Sequence, residues 1–154
     1  MTTARSIADG LEEFLRDTEW AWARRPGDEA YELSFAGNTH EWACVAVTRE
    51  AERQLLFYSL CPTPVVDAAE VEVLRFLNGV NVELTVGNFE LEPGSGQVRL
   101  RTSVDVGDEE LSEPLVRRVV SANVLLMNAY AAALESVANG SASADEAFLL
   151  ARGG

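Results

Sequence analysis

The chain has 154 residues, 47% of them apolar, which is enough for one domain with its own hydrophobic core. Its 25 acidic residues against 12 basic ones give a net charge of −13, which disfavours binding to the phosphate backbone of nucleic acids. All the basic residues are arginine, so neither a Schiff-base lysine nor the lysine of a Walker phosphate loop is present.

The sequence carries no sign of a membrane or secretory segment. No apolar run approaches the ~20 residues of a membrane span, and Asp9, Glu12 and Glu13 stand where a signal peptide would be apolar. We therefore expect a cytoplasmic protein without a membrane partner. In that compartment the only two cysteines, Cys44 and Cys61, are expected to be free thiols, and their spacing matches no zinc pattern.

The first predicted element is a helix over residues 3–17, whose apolar stripe consists of Ile7, Leu11, Phe14 and Leu15. Trp20 and Trp22 follow in a connector, which ends where residues 24–28 break the pattern. Large aromatic side chains in a connector either fill the core or anchor an interface. The sequence leaves both interpretations open.

Three strands are predicted next, at residues 31–35, 42–47 and 55–60. The third strand is apolar on both faces, so it belongs away from a solvated edge. The charged tip at residues 49–53 is expected to be a plain hairpin turn. His40 lies beside the turn between the first and second of these strands. Its segment contains no base, nucleophile or further metal ligand, so we expect His40 to be exposed to solvent.

A second helix is predicted to start at Asp67, with an apolar face of Ala69, Val73, Phe76, Leu77 and Val80. Its outward face is expected to carry Glu70, Glu72 and Arg75. Two strands follow, on either side of a turn at residues 93–96. In the second of these strands, from Val98 to Val106, apolar and polar residues alternate strictly, which predicts one buried face and one wet face.

The longest predicted element is a helix over residues 111–137. Ser112 suits its N-cap, Pro114 falls in its first turn, and Asn139-Gly140 comes just past its end. Asn123 lies on the apolar side of this helix and is expected to be a buried, hydrogen-bonded amide.

The predicted order of elements is α-β-β-β-α-β-β-α. This order indicates an α+β fold, in which helices pack on one face of a five-stranded antiparallel sheet. Residues 1–140 are expected to form a single domain. Residues 141–154 form a C-terminal tail, which either frays or makes a short docking helix.

No constellation of residues points to catalysis. The acidic run at residues 105–110 lacks the loop of an EF-hand and precedes a helix, where negative charge complements the dipole. Gly94-Ser95-Gly96 is accompanied by neither a lysine nor a following helix, so it is a turn and not a phosphate loop. We expect no catalytic, metal or cofactor-binding residues, and therefore no enzyme.

Two groups of side chains are candidates for binding a partner. Arg99 and Arg101 share the outward face of the last predicted strand, where they either bind an acidic or phosphorylated partner segment or simply offset the many carboxylates. The three tryptophans are the other group. The candidate partner-binding residues are thus Trp20, Trp22, Trp42, Arg99 and Arg101.

Three stretches in the second half of the chain resemble the YbjN family of bacterial sensory transduction regulators. They are residues 74–81 (LRFLNGVN), 87–91 (GNFEL) and 96–101 (GQVRLR), and the helix from Leu111 to Leu134 continues the match. The resemblance implies a fold similar to that of type III secretion chaperones, and a role as a regulator or chaperone-like protein. It carries over no active-site residues.

The leading hypothesis is a non-enzymatic protein that binds a segment of another protein, of unknown identity, at an exposed strand edge or an apolar groove. A homodimer is a further option, because the apolar face of the last helix is wider than one sheet covers. The alternative is a small-molecule sensor with an apolar pocket between sheet and helices, lined by Trp42, Phe57 and Phe89.

Overall fold

The computed structural model describes residues 3–153. A short 3-10 turn, Asp67–Ala69, leads into the second helix. The four helices and the antiparallel sheet confirm the predicted α+β class. In chain order the elements are α1 (Ile7–Arg16), β1 (Trp22–Arg24), β2 (Ala30–Ala36), β3 (Glu41–Arg49), β4 (Gln54–Leu60), α2 (Glu70–Glu83), β5 (Asn88–Leu91), β6 (Val98–Asp105), α3 (Glu113–Ala138) and α4 (Ala144–Arg152).

The sheet has six strands in the order β1-β2-β3-β4-β6-β5, and every neighbouring pair is antiparallel. The prediction of five strands is wrong, because part of the predicted connector forms the edge strand β1, in which Trp22 lies opposite Leu33. The amide of Arg25 donates to the carbonyl of Ala30 at 2.9 Å and closes this hairpin. A strand of three residues is too short to reveal an alternating pattern in the sequence.

Alternating side chains divide the sheet into two faces. The inner face is buried, with Leu33, Ala46, Phe57 and Leu100 at its centre, and α1 and α3 pack against it. Helices α2 and α4 pack on α3 at the β5 side of the molecule. The opposite side, here called the outer face, carries no covering layer within residues 3–153.

Helix α3 begins and ends where the sequence predicts. The Ser112 hydroxyl accepts a hydrogen bond from the Leu115 amide at 3.4 Å, Pro114 lies in the first turn, and Asn139 is the C-cap. The apolar side of α3 spans the middle of the sheet, because it contacts both β4 and β6.

Asn123 joins α3 to the sheet through polar contacts in the core. Its side chain is fully buried, and its Nδ2 group donates to the carbonyls of Phe57 at 2.9 Å and Leu100 at 3.1 Å. The predicted buried amide is therefore confirmed on its donor side. Its Oδ1 atom has no hydrogen-bond partner in the described part of the chain.

Helix α1 is held by residues distant in sequence. Glu50, in the β3–β4 turn, accepts hydrogen bonds from the amides of Ile7 at 2.9 Å and Ala8 at 2.7 Å. The turn expected to be plain therefore caps a helix. On the other side, a Cβ atom at Gly10 would lie 2.9 Å from the carbonyl oxygen of Leu111, so α1 closely approaches the segment that leads into α3.

The C-terminal residues Ala144–Arg152 form α4, which begins with a capping box between Ser143 and Glu146. Its Phe148 ring lies 5.1 Å from the ring of Phe76 on α2. Ala147 is fully buried, so this helix covers the junction of α2 and α3.

Candidate functional site

The three tryptophans occupy different environments. Trp42 is 3% exposed, and its indole nitrogen donates to the Ser59 hydroxyl at 2.9 Å. Trp20 and Trp22 are half-buried along the β1 side of the sheet, where Trp20 contacts Phe35 edge-on with 5.4 Å between ring centroids. The structure thus gives Trp42 a core position and leaves part of the other two rings accessible.

Arg99 and Arg101 both lie on the outer face, as predicted, but differ in their contacts. The Arg99 guanidinium lies 4.9 Å from the centroid of the Tyr58 ring, and its Nε atom is 2.5 Å from Glu90. Its charge is therefore already paired. Arg101 makes no ion pair within residues 3–153.

Trp42, Phe57 and Phe89 do not line the pocket expected for a small-molecule sensor. Each is 3% exposed or less and belongs to the hydrophobic core. Phe89 packs edge-on against Tyr130 on α3, with 5.7 Å between ring centroids. The space between sheet and helices at these residues is filled by their own side chains, and this prediction is wrong.

His40 also departs from its prediction. Its side chain is 17% exposed, and Nε2 lies 2.5 Å from a carboxylate oxygen of Glu135 on α3. His40 therefore ties the β2–β3 turn to the long helix. Sequence reasoning missed this role because the two residues are far apart in the chain.

Cys44 and Cys61 are both free and buried, in agreement with the prediction of two thiols. Burial raises the pKa of the Cys44 thiol to about 11. A buried thiol with so high a pKa carries almost no thiolate at neutral pH, so it behaves as a small core residue. Nowhere in residues 3–153 do three or more His, Cys, Asp or Glu side chains form a group that could hold a metal ion.

Helix α2 is apolar on two sides. Its inner side is buried as predicted, but a second row of apolar residues faces solvent: Val71, Leu74 and Val82, which are 70%, 47% and 78% exposed. We call these three residues the α2 stripe. Spacings of three and eight residues place them on one side of the helix. The sequence contains this signal, because α2 has more apolar residues than a single buried face requires.

A groove of about 420 Å³ lies beside the α2 stripe, between the start of α2 and the β5–β6 turn. We call it the α2–β5 groove. Val65, Leu74 and Leu91 give it an apolar lining, and the carboxylates of Asp67, Glu70 and Glu92 surround that lining. Neither Asp67 nor Glu70 forms an ion pair with another described residue. The groove is therefore both apolar and electronegative.

The groove also meets the free edge of the sheet, because β5 is the last strand. The Phe89 amide donates to Oδ1 of Asn81 at 2.8 Å, and Nδ2 of Asn81 donates to the Phe89 carbonyl at 2.9 Å. Both backbone groups of Phe89 thus point away from β6. The direction of the backbone groups alternates from one residue to the next along a strand, so Leu91, two residues after Phe89, also directs its amide and carbonyl away from β6. Leu91 lines the α2–β5 groove.

No helix within residues 3–153 combines the length and the hydropathy needed to cross a bilayer. The α2 stripe, the α2–β5 groove and the edge of β5 combine three kinds of contact. The α2 stripe and the groove provide apolar contacts, the three carboxylates provide negative charge, and Leu91 provides a backbone donor and acceptor.

Comparison with known proteins gives one family model and several solved structures of similar fold. The model of the YbjN family, described as "Putative bacterial sensory transduction regulator", matches residues 8–136. No curated protein sequence is significantly similar to the chain.

Two solved structures share the fold. The crystal structure of YbjN from E. coli, described there as "a putative transcription regulator", superposes with a TM-score of 0.61 at 11% identity, over 82% of this chain and 90% of that one. The structure of the HopA1–SchA chaperone–effector complex contains a chain with a TM-score of 0.57 at 18% identity, over 81% of this chain and 92% of that one. At these identities the similarity concerns the fold.

Proposed function

Since this chain belongs to the YbjN family, we propose that it is a non-enzymatic regulator of the bacterial cytosol that binds a segment of another protein. The observation that carries the proposal is the exposed α2 stripe beside an open strand edge. Solvent-exposed apolar rows of this kind mark interaction sites on soluble proteins. The structural similarity to a chain of a chaperone–effector complex supports the same class of function.

The chemistry of the groove specifies the kind of segment. Its apolar lining suits a leucine, valine or similar side chain, and the carboxylates of Asp67 and Glu70 suit an arginine or lysine next to it. The outward backbone of Leu91 suits an extended stretch, while the Asn81–Phe89 pair stops strand addition further along β5. The proposed partner segment is therefore short, extended, apolar and flanked by basic residues.

The proposal is tested by placing a photo-crosslinking amino acid at Val71 in cells of a bacterium that expresses the protein. The matched control carries the same group at Glu19, an exposed residue outside the groove. We expect a protein to be captured from Val71 and not from Glu19. Its interacting segment, identified by mass spectrometry, should contain adjacent apolar and basic residues.

Binding of the purified partner then distinguishes the groove from other surfaces. We expect Leu74→Glu to weaken binding at least tenfold, because it places a charge in the apolar lining. Leu125→Glu provides the control, since Leu125 is 67% exposed on α3 and away from the groove. Equal affinities of the two variants, or capture of the same proteins from both crosslinking positions, would contradict the proposal.

A further inference from the structure

The outer face of the sheet is apolar at its centre. Strand β3 presents Ala43, Val45 and Val47 there, and β4 presents Leu56, Tyr58 and Leu60, because their neighbours in the chain face the core. We call these six residues the outer patch. Antiparallel sheets that face water on one side normally carry polar residues at such positions. An apolar patch at the middle of an uncovered sheet therefore requires another explanation.

We propose that a second copy of this chain packs on the outer patch, around a two-fold axis that runs parallel to the strands between β3 and β4. That line is the midpoint of the six-strand order. Rotation about it places β3 over the partner's β4 and β2 over the partner's β6. Apolar residues of the two patches then cover each other, as in two aligned sheets packed face to face.

The charges beside the patch explain why the occupant is a second copy. In one row across the sheet the pairing register aligns Glu32 with Val45, Val45 with Tyr58, and Tyr58 with Arg101. The row thus reads acid, apolar, apolar, base, with the proposed axis at its centre. A two-fold rotation puts each acid opposite the base of the other copy. A surface that complements itself in this way favours self-association.

The ion pairs within one copy are compatible with this arrangement. Arg101 has no acidic partner within residues 3–153, so it is available to another chain. Glu32 binds Arg25 through Oε1 at 2.7 Å, and its side chain remains 59% exposed, so the carboxylate can accept from a second base. Arg99, whose guanidinium lies 4.9 Å from the centroid of the Tyr58 ring in the outer patch, is already paired with Glu90 at 2.5 Å and needs no partner from the second copy.

The test uses charge reversal on each side of the axis. Wild type, Glu32→Arg and Arg101→Glu are compared by analytical ultracentrifugation over a concentration series, with circular dichroism to verify folding. We expect a wild-type dimer and at least a tenfold weaker dimer for each single variant, since each then brings like charges together. An equimolar mixture of the two variants should form a heterodimer, in which both pairs are again of opposite charge.

Three further variants make the result specific. The double variant Glu32→Arg/Arg101→Glu should dimerise like the wild type. The reversals Glu19→Arg and Arg118→Glu, at exposed positions off the outer face, should leave dimerisation unchanged. A monomeric wild type, or single variants that dimerise normally, would overturn the inference, as would a mixture that forms no heterodimer. None of these outcomes bears on the α2–β5 groove.

Discussion

Asn81 on α2 takes the place of a neighbouring strand for Phe89, because it satisfies both the amide and the carbonyl of that residue. A single side chain thereby protects the edge of the sheet at the point where an extended segment would otherwise continue to pair. The same contact fixes the end of α2 relative to β5. It therefore combines a structural role with control over where the proposed partner segment can bind.

Replacing this amide tests its structural role. We expect Asn81→Leu to lower the free energy of unfolding by about 2–3 kcal/mol, since two part-buried backbone groups lose their partners. The measurement is urea denaturation followed by circular dichroism. Asn78→Leu on the exposed side of the same helix is the control, and it should change stability by about 0.5 kcal/mol or less. Equal effects of the two variants would show that the Phe89 contact contributes little.

Asn123 offers a second test, inside the core. Asn123→Ala removes three buried hydrogen bonds, to the carbonyls of Phe57 and Leu100 and to the Thr102 hydroxyl, and at about 1 kcal/mol for each bond we expect a loss of about 3 kcal/mol. Ser121→Ala, half-buried on the same helix, should cost about 0.5 kcal/mol or less. Chemical denaturation of both variants provides the comparison. Equal losses for Asn123→Ala and Ser121→Ala would show that these three hydrogen bonds contribute little to stability.

The docking of α4 is tested at Gly79. A Cβ atom there would overlap the ring of Phe148, so we expect Gly79→Ala to destabilise the protein and to increase hydrogen exchange in α4. In a Phe148→Ala background the clash is absent. The same glycine substitution should then stabilise α2 by up to about 1 kcal/mol, the usual gain of alanine over glycine in a helix. Equal effects in the two backgrounds would exclude coupling between the two positions.

The buried thiol of Cys44 predicts a loss of stability at alkaline pH. Burial raises its pKa to about 11 in the folded state, whereas an exposed thiol titrates near about 8.5. The folded state thus keeps a proton that the unfolded state releases. Stability from this group is complete below pH ~8.5 and is lost as the pH rises toward about 11.

Urea denaturation at several pH values between 7 and 10.5 measures this effect. We expect the wild type to lose on the order of 1–3 kcal/mol more than Cys44→Ala across the range. The alanine variant starts from a lower stability, so the comparison concerns the slope with pH. Parallel profiles for the two proteins would show that Cys44 does not titrate in this way.

Elements with local signals were predictable from the sequence. The ends of α3 follow from Ser112, Pro114 and Asn139, whose preferences at helix ends depend only on nearby backbone. The alternation from Val98 onward likewise identified the inner side of β6, because side chains on a strand alternate between its faces.

Features that depend on distant residues were not predictable. Nothing near Glu50 indicates that its carboxylate caps α1, and the turn at Arg53 gives no sign that its guanidinium binds the carbonyls of Arg5 and Glu109. The apolar residues of the α2 stripe are visible in the sequence, but the buried set of α2 alone accounts for the amphipathic pattern of a helix that packs on a core. The exposure of the α2 stripe depends on which side of the helix packs against the rest of the protein.

The close contact between Gly10 and Leu111 has a consequence for biosynthesis. Helix α1 is translated well before Leu111, yet it packs beside that residue, and the ring of Phe14 lies 5.6 Å from the guanidinium of Arg117. Roughly 100 residues must be translated in between, which takes roughly 5–20 s at the usual elongation rates. Throughout that interval the contacts of α1 with Leu111 and Arg117 are missing, and this part of the helix is accessible to chaperones. Helix α1 therefore completes its packing only after the start of α3 has been translated.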